Sequence, residues 1–323
     1  MIGCGSHAWM AILPSLRFAP FQLIAVCDLD ADLAAHTART FGADKWYANY
    51  REMLDREELD VVAVVGPPSL HFLAGKEVLA SGRHLFVEKP PAPTVAEAEE
   101  LAAAASGREI MVGFQKRHAR AYVLARNAAQ EDSFGQVSML RMNYSHVRET
   151  PLSDHLAFMS IHAIDLASFF MGDVSGGALH VSSHEKYHVV AATFEHVDGG
   201  ISMLSLSALE PRLQETVELA GQSSLLRVSD LSELIIQHQA PEWADTYDTG
   251  PAMASVWRPD FAIPIDANNS LVLQGYAGEM SALAAAIHSG TTPQADIHDA
   301  VKAMRIIDLI AAAPPGFSTF TIT

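Results

Sequence analysis

Short apolar runs alternate with helical patterns over the first third of the chain. The runs at residues 22–27, 61–65, 84–87 and 110–112 predict buried strands. Between them, apolar residues recur at helical spacing, and a Thr-x-x-Glu capping box at Thr94 predicts the start of one helix. Strands that alternate with helices predict a doubly wound parallel sheet covered on both faces.

The pattern changes near residue 118. Residues 137–144 alternate between apolar and polar side chains, and residues 204–208 do the same, with a helical stretch between them at 155–171. A period of two with one polar face predicts a large, mostly antiparallel open sheet. We therefore predict an α/β chain, with an N-terminal Rossmann domain over residues 1–117 and a C-terminal α+β domain over residues 118–323.

Composition and net charge exclude several classes of protein function. The chain has 323 residues, 49% of them hydrophobic, and a formal net charge of −17. Such an acidic chain is a poor match for nucleic acid, whose phosphates need a basic surface. No run approaches the ~18 apolar residues of a membrane helix. The two cysteines, Cys4 and Cys27, do not make a disulfide framework, and no secretory leader precedes the first motif, so we expect a cytoplasmic enzyme of small molecules.

A glycine-rich loop opens the chain. Residues 3–8 fit G-x-G-x-x-A, in which glycines let the backbone approach a pyrophosphate and amides at a helix N-terminus bind its charge. Asp28 ends the next predicted strand, close to the ~20-residue spacing of an acid that binds ribose hydroxyls. A carboxylate there repels a 2′-phosphate and favours NAD over NADP. Alternatively Asp28 caps the following helix, a place that Asp30 can equally fill.

The strand before this loop is short. Only Met1 and Ile2 precede Gly3, which is too little for the central strand of a doubly wound sheet. Our hypothesis is that the natural start lies several residues upstream.

Lys89 follows the predicted strand at 84–87, in the run Glu88-Lys89-Pro90. The carboxyl end of a parallel strand faces the crevice where such sheets bind ligands. There the lysine ammonium can hydrogen-bond the reacting oxygen of a substrate and help its proton leave, while Pro90 restricts the backbone beyond it. The alternative is an ordinary surface lysine before a turn.

These segments together resemble one enzyme family. The run Glu88-Lys89-Pro90, the stretch at residues 64–71 and the stretch at residues 112–117 look like the signatures of the glucose–fructose oxidoreductase, inositol dehydrogenase and MocA (Gfo/Idh/MocA) family. The resemblance implies a dehydrogenase or reductase that transfers hydride between NAD or NADP and a hydroxyl or keto carbon of a sugar, inositol or related polyol. It also implies a homo-oligomer, a dimer or tetramer, formed through the C-terminal sheet.

By position, the resemblance also implies which residues contact the cofactor. These residues share the loops at the carboxyl ends of the predicted parallel strands. They are Gly3, Gly5, Ser6, His7, Asp28, Pro67, Pro68, His71, Glu88, Lys89 and Pro90.

The second domain carries the remaining catalytic residues that the resemblance implies. His162 looks like the family's catalytic acid/base, and Asp165 lies one helical turn on. Family members commonly have an aspartate four residues before this histidine, where this chain has Phe158. Either Asp165, Asp154 or His155 supplies the missing polar group, or Lys89 carries the proton transfer while His162 binds substrate, or the protein binds cofactor without turnover.

Other expectations concern the substrate and metals. We expect His155, Tyr144 and Arg148 to line the substrate side. The set His146, His155 and His162 does not have the spacing of a usual zinc site, so we expect no metal. Two further functions remain open: a cofactor-binding sensor or regulator, and a redox-neutral enzyme in which bound NAD is transiently reduced.

Overall fold

The computed structural model describes residues 1–146, 151–184, 187–222, 224–238, 254–262 and 265–322. The chain divides into two compact units. The first unit comprises Met1–His118 and Gly275–Arg305, and the second comprises Ala119–Gln274 and Ile306–Thr323. The boundary near residue 118 coincides with the change of pattern, but Gly275–Arg305 groups with the first unit, which the sequence-based division did not anticipate. The assignment of cofactor and substrate roles to two domains stays a prediction.

A parallel sheet forms the core of the first unit. Its strands are β1 (Ala25–Cys27), β2 (Lys45–Tyr47), β3 (Val61–Val64), β4 (His84–Val87) and β5 (Ile110–Val112). Ile2 bridges β1 and β3 in parallel, which gives the order β2-β1-Ile2-β3-β4-β5. The predicted doubly wound sheet is thus confirmed. β2 escaped the sequence analysis because it is short and its first two side chains are exposed.

Helices connect these strands, and their starts follow the capping residues. After the glycine loop the chain forms a π turn (Ala8–Ile12), α1 (Leu13–Ser15) and a 3-10 turn (Leu16–Phe18), and the later helices are α2 (Ala31–Phe41), α3 (Tyr50–Arg56), α4 (Pro68–Ala80) and α5 (Val95–Ala103). Thr94 accepts a hydrogen bond from the Glu97 amide, so the predicted helix start there is confirmed. A 3-10 turn, Gln115–His118, ends this part of the unit.

The second unit is built on a large, mostly antiparallel sheet, as predicted. Its described strands are β6 (Met139–Ser145), β7 (Val174–Ser183), β8 (His188–His196), β9 (Ile201–Ser207), β10 (Gln214–Ala220), β11 (Ser224–Ser229), β12 (Glu233–His238), β13 (Ala254–Trp257) and β14 (Gly316–Thr321). They lie in the order β13-β12-β11-β10-β6-β9-β8-β7-β14, and only β6 and β9 pair in parallel. Leu140, Met142 and Tyr144 are buried, as their alternation predicts.

Helices cover one face of this sheet. They are α6 (Arg120–Ala129), α7 (Leu152–His155), α8 (Ile161–Met171), a 3-10 turn (Asp266–Asn268) and α9 (Ser270–Leu273). The single helix predicted over 155–171 is instead α7, a π turn (Leu156–Ser160) and α8. Contacts of α8 with β6 and β9 place this helix against the middle of the sheet.

The two closing helices are α10 (Tyr276–Ser289) and α11 (Ile297–Ala312). The residues before α11 extend the first unit's sheet, since Asp296 bridges Met111 of β5 and the Val112 amide donates to the Ala295 carbonyl at 2.9 Å. Arg117 then pairs with Asp299 at 2.7 Å. These contacts explain why the segment belongs to the first unit although it lies far along the chain. Across the described ranges, every helix is too short or too polar to cross a bilayer.

Candidate active site

The site residues of the first unit meet at one edge of the parallel sheet. The loops after Ile2, β1, β3, β4 and β5 all leave the sheet at its carboxyl edge, because the strands run in one direction. Backbone hydrogen bonds hold the loops together: Gly3 N–Cys27 O is 2.8 Å and Gly113 N–Val87 O is 2.8 Å. This edge is where open α/β sheets bind their ligands.

Gly3 and Gly5 in the first loop meet different structural requirements. Gly3 has a φ of +91°, and a Cβ there would lie 1.9 Å from the Val65 carbonyl oxygen. A Cβ on Gly5 would meet no atom within 4 Å, so this residue borders open space. Ala8, at the third motif position, is fully buried where the helix meets the sheet. A tight turn, an open backbone and a close helix contact are the three features of a pyrophosphate cradle.

The structure distinguishes the two candidate aspartates. Asp30 caps α2, because its side chain accepts hydrogen bonds from the Asp32 and Leu33 amides. Asp28 instead accepts from the Cys4 amide at 2.8 Å and from the Asp30 amide at 3.0 Å. Its carboxylate therefore ties the end of β1 to the glycine loop. It lies where an acid that binds ribose hydroxyls is expected.

Glu88 is a buried carboxylate in this edge. It is 6% exposed, and its Oε1 lies 2.9 Å from Nε2 of His7 in the glycine loop. Burial by itself raises the pKa of Glu88. The hydrogen bond from His7 and the positive charge of Lys89 outweigh that effect and hold the pKa below its ordinary value. Gly113 leaves the space for this group, since a Cβ there would lie 2.8 Å from the Glu88 carboxyl carbon.

Lys89 adjoins this carboxylate. Burial lowers the pKa of the Lys89 ammonium; the Glu88 carboxylate opposes that shift and Lys116 adds to it. A lysine with a lowered pKa exchanges a proton more readily near neutral pH than an exposed one. Lys116 is 6% exposed, and the sequence analysis did not single it out. The only signal for it is its place in the stretch at residues 112–117 that resembles the family, since nothing in the pattern indicates a buried lysine there.

His71 connects the loop after β3 to the lysine segment. Its Nε2 accepts from the Gly66 amide at 3.0 Å, so Nδ1 carries the hydrogen and donates to the Pro90 carbonyl at 2.8 Å. Only the neutral imidazole can make both bonds. Burial is the main cause that lowers the pKa of His71, which favours this form. Pro67 and Pro68 stand at the start of α4 beside it, and Ser6 is exposed in the first loop.

The second unit contains the other predicted residues. His162 and Asp165 lie on α8, 5% and 2% exposed, and His155 ends α7 at 2% exposure. Burial, and then the charges of His188 and His146, lower the pKa of His155 to about 4. Phe158, which stands in place of the usual aspartate, is 40% exposed in the π turn.

The other predictions for this unit concern the substrate and a metal. Tyr144 is 1% exposed in β6. Arg148 lies outside the described residues. Among the residues that the structure describes, no group of three or more His, Cys, Asp or Glu side chains is arranged to hold a metal ion.

Comparison with known proteins assigns this site to a family. The model of the Gfo/Idh/MocA oxidoreductase family, NAD-binding Rossmann fold, matches residues 1–116. Levoglucosan dehydrogenase of Pseudarthrobacter phenanthrenivorans is 28% identical over 166 residues, which cover 46% of this chain and 43% of that protein. Inositol 2-dehydrogenase of Salmonella paratyphi B is 24% identical over 159 residues, or 47% of each chain. The matches thus span about half the length of these curated relatives.

A solved structure extends the likeness beyond these residues. A dehydrogenase from Chromobacterium violaceum has a TM-score of 0.87 and 27% identity, covering 96% of this chain and 93% of its own. The family model thus places residues 1–116 in the Gfo/Idh/MocA family of oxidoreductases. The resemblance expected from the Glu88-Lys89-Pro90 run is therefore confirmed, together with the Rossmann fold of the first unit.

The two glycines of the first loop provide a first prediction. Gly3→Ala forces a Cβ onto the Val65 carbonyl and a positive φ onto alanine, so we expect it to lower the free energy of unfolding by about 1–3 kcal/mol or more. Gly5→Ala meets no protein atom and leaves stability unchanged, but its methyl obstructs the pyrophosphate and weakens NAD binding. Urea unfolding and fluorescence titration with NAD measure the two effects. Equal effects of both changes on stability would contradict this division of roles.

His71 provides a second prediction. Because its pKa is lower in the folded protein, the unfolded chain binds more protons below about pH 6.5, and stability falls as the pH falls through that range. His71→Gln has an amide that can both donate and accept but does not titrate, so we expect a smaller loss of stability between pH 7.5 and 5.5. His71→Phe breaks both bonds and destabilises by about 1–3 kcal/mol at every pH. Identical pH profiles of wild type and His71→Gln in urea unfolding would be the contrary result.

Proposed function

We propose that this protein is an NAD-dependent dehydrogenase or reductase that moves hydride between nicotinamide and a hydroxyl or keto carbon of a sugar, inositol or related polyol. The observation that carries the proposal is the half-buried Lys89 beside the ionised Glu88, on the sheet edge that also bears the glycine loop and Asp28. The names of the two curated relatives, levoglucosan dehydrogenase and inositol 2-dehydrogenase, support the substrate class.

The residues at this edge fit a dinucleotide. Gly5 and the amides of Ser6 and His7 would hold the pyrophosphate, and Asp28 would hold the ribose. Pro67, Pro68, Glu88 and Pro90 would line the nicotinamide end, with His71 keeping that segment in place. When bound, the nicotinamide ring accepts or donates the hydride.

Lys89 would handle the proton of the reacting oxygen. Its ammonium donates a hydrogen bond to that oxygen and, with a lowered pKa, can take up and release the proton as the carbon is oxidised or reduced. In the second unit, His162 and Asp165 are the proposed partners in proton transfer, and His155, Tyr144 and Arg148 the proposed substrate residues. Phe158 cannot orient an imidazole, so the proposal assigns the leading proton role to Lys89.

Replacing Lys89 tests the chemistry. Lys89→Met keeps the length of the side chain but has no proton to exchange, so we expect turnover of sugars, inositols or keto-sugars to fall by about 10²–10⁴-fold. NAD binding should persist, since the cradle is intact. The readout is NADH absorbance with each substrate, and Lys45→Met, an exposed lysine, is the control.

The same assay discriminates the other functions. Tight NAD binding by the wild type with no turnover of any substrate would contradict the dehydrogenase and favour a sensor. Substrate consumption without net absorbance change would indicate the redox-neutral enzyme.

The preference for NAD over NADP can be tested with a matched pair of variants at Asp28 and Asp30. Asp28→Ala removes the carboxylate that repels a 2′-phosphate, so we expect the preference for NAD over NADP to fall by about tenfold or more. Asp30→Ala removes the cap of α2, which costs about 0.5–2 kcal/mol of stability, and leaves the preference unchanged. Dissociation constants of both cofactors are measured for each protein. A preference that shifts with Asp30 and not with Asp28 would be incompatible with the assignment.

We also propose that the open face of the second unit's sheet pairs two copies of the chain into a dimer, or two such pairs into a tetramer. This face bears exposed apolar side chains, with Ile201 46%, Met203 48% and Phe317 70% exposed. Arg141 and Glu218 form an ion pair at 2.9 Å on the same face, around a depression of about 530 Å³. Apolar patches with a polar rim are typical of interfaces between protein molecules.

Met203→Glu tests this pairing. A carboxylate in the middle of the face should be costly to bury, so we expect the molecular mass from light scattering to fall toward that of one chain. Val197→Glu, at another exposed apolar position in the turn after β8, is the control and should leave the mass unchanged. A wild type that is already a single chain at micromolar concentration would contradict the proposal.

A further inference from the structure

The side chain of His7 leaves the glycine loop and reaches the segment that carries Lys89. His7 stands 81 residues before Glu88 in the chain, yet its Nε2 donates to Oε1 of Glu88 at 2.9 Å, since a carboxylate can only accept. The other carboxylate oxygen, Oε2, accepts from the Lys89 amide at 3.2 Å. One carboxylate thus joins a side chain of the glycine loop to the backbone of the Glu88-Lys89-Pro90 segment.

His7 is held on two sides but remains at the surface. Its side chain is 43% exposed, whereas that of Glu88 is 7% exposed. On α10, the Tyr276 ring lies edge-on to the imidazole, with ring centroids 5.7 Å apart and an interplanar angle of 64°. Along the loop, Gly5 borders open space, where the pyrophosphate is proposed to lie. His7 therefore connects the open side of the loop to a buried charge.

The groups around Glu88 show why this hydrogen bond matters. His71 on α4 lies near the carboxylate, but both of its ring nitrogens are occupied by backbone groups. Gly113, after β5, presents no side chain, and Lys89 contributes positive charge from the same segment as Glu88. Among these groups, His7 is the one whose side chain donates a hydrogen bond in place of the water that the carboxylate has lost.

Loss of this hydrogen bond would act on two pKa values in turn. Without the donor, burial would raise the pKa of Glu88, so the carboxylate would take up a proton at a higher pH. The charge of Glu88 raises the pKa of the Lys89 ammonium, against burial and Lys116, which lower it. A protonated Glu88 would therefore leave Lys89 without this support.

We propose that His7 is a positioning residue that couples binding of the dinucleotide at the glycine loop to the position of Lys89. Backbone amides of the loop would hold the pyrophosphate, and the His7 side chain would hold the lysine segment against that loop. The nicotinamide end of the cofactor then meets a segment that is already in place, which lowers the cost of ordering this segment on binding. The inference rests on the proposed function and adds to it a residue that acts through Glu88.

Binding of NAD and of ADP-ribose tests the coupling without turnover. ADP-ribose has the pyrophosphate but lacks nicotinamide, so its binding depends on the loop rather than on the lysine segment. His7→Phe keeps an aromatic ring beside Tyr276 but has no donor, and we expect it to raise the dissociation constant of NAD about tenfold and that of ADP-ribose less than about twofold. His7→Gln keeps a donor and should recover most of the loss. His288→Phe, at the exposed far end of α10, is the control.

The pH dependence of kcat gives a second readout that a purely structural role would not move. Because removing the donor raises the pKa of Glu88, we expect the acidic limb of the kcat profile of His7→Phe to shift upward by about one pH unit. In His7→Gln the limb should return toward that of the wild type. A change that only loosens the fold would lower kcat by the same factor at every pH.

The outcomes separate this inference from the proposed function. NAD binding that weakens selectively in His7→Phe supports the coupling even where the wild type turns over no substrate, a lack that would count against the dehydrogenase alone. Equal weakening of NAD and ADP-ribose, unchanged dissociation constants, or an unmoved acidic limb in an active enzyme would overturn the coupling. Thermal unfolding shows which variants are folded, and His7→Leu, which also lacks a donor, replaces His7→Phe if that variant is not.

Discussion

The buried carboxylate of Glu88 lies directly after β4, and the surrounding site depends on keeping this group charged. Glu88 can stay ionised only if other groups replace the water it has lost. His7 supplies a hydrogen bond from the glycine loop, and Gly113 supplies the space by having no side chain. The glycine loop and the loop after β5 are thereby tied to the segment that carries Lys89. A change at any of these positions would disturb the charge balance around the lysine.

His71 also holds the segment that carries Lys89 in place, but it does so as a neutral side chain. Its two bonds join Gly66 to Pro90, so the loop after β3 and the lysine segment share one imidazole in one tautomer. The ring is 1% exposed, and both its nitrogens are occupied by backbone groups. It therefore acts as a positioning residue for Lys89, whereas the resemblance had placed it only near the cofactor. A buried neutral histidine and a buried charged glutamate stabilise the same turn by different means.

In the second unit, the buried polar residues before α8 are uncharged. Its sheet presents one open face, and its covered face packs against α8. The π turn before α8 changes which residues of that helix share a face. As a result, Phe158 is exposed while His155 and Ser160 are buried.

Much of the fold was readable from periodicity. The buried strands and the alternating strands stood out because burial on two faces or on one face imposes continuous or alternating apolar residues. β2 was missed because a short edge strand with exposed side chains carries neither pattern. The placement of Gly275–Arg305 with the first unit was missed as well. It depends on Asp296 meeting Met111 and on Arg117 meeting Asp299, and helical periodicity says which face is apolar but not which partner covers it.

The sequence by itself determined the family resemblance, the glycine loop, the acid after the next strand and the lysine, because each is a local run whose residue types are tied to one chemistry. Only the tertiary structure decided that Asp30 rather than Asp28 caps α2, and that His7 donates to Glu88 while Gly113 leaves space for it. The physical reason is the same in each case. Hydrogen bonds and steric exclusion act over a few ångströms, and the parallel strands bring within that range residues whose spacing along the chain does not reveal it.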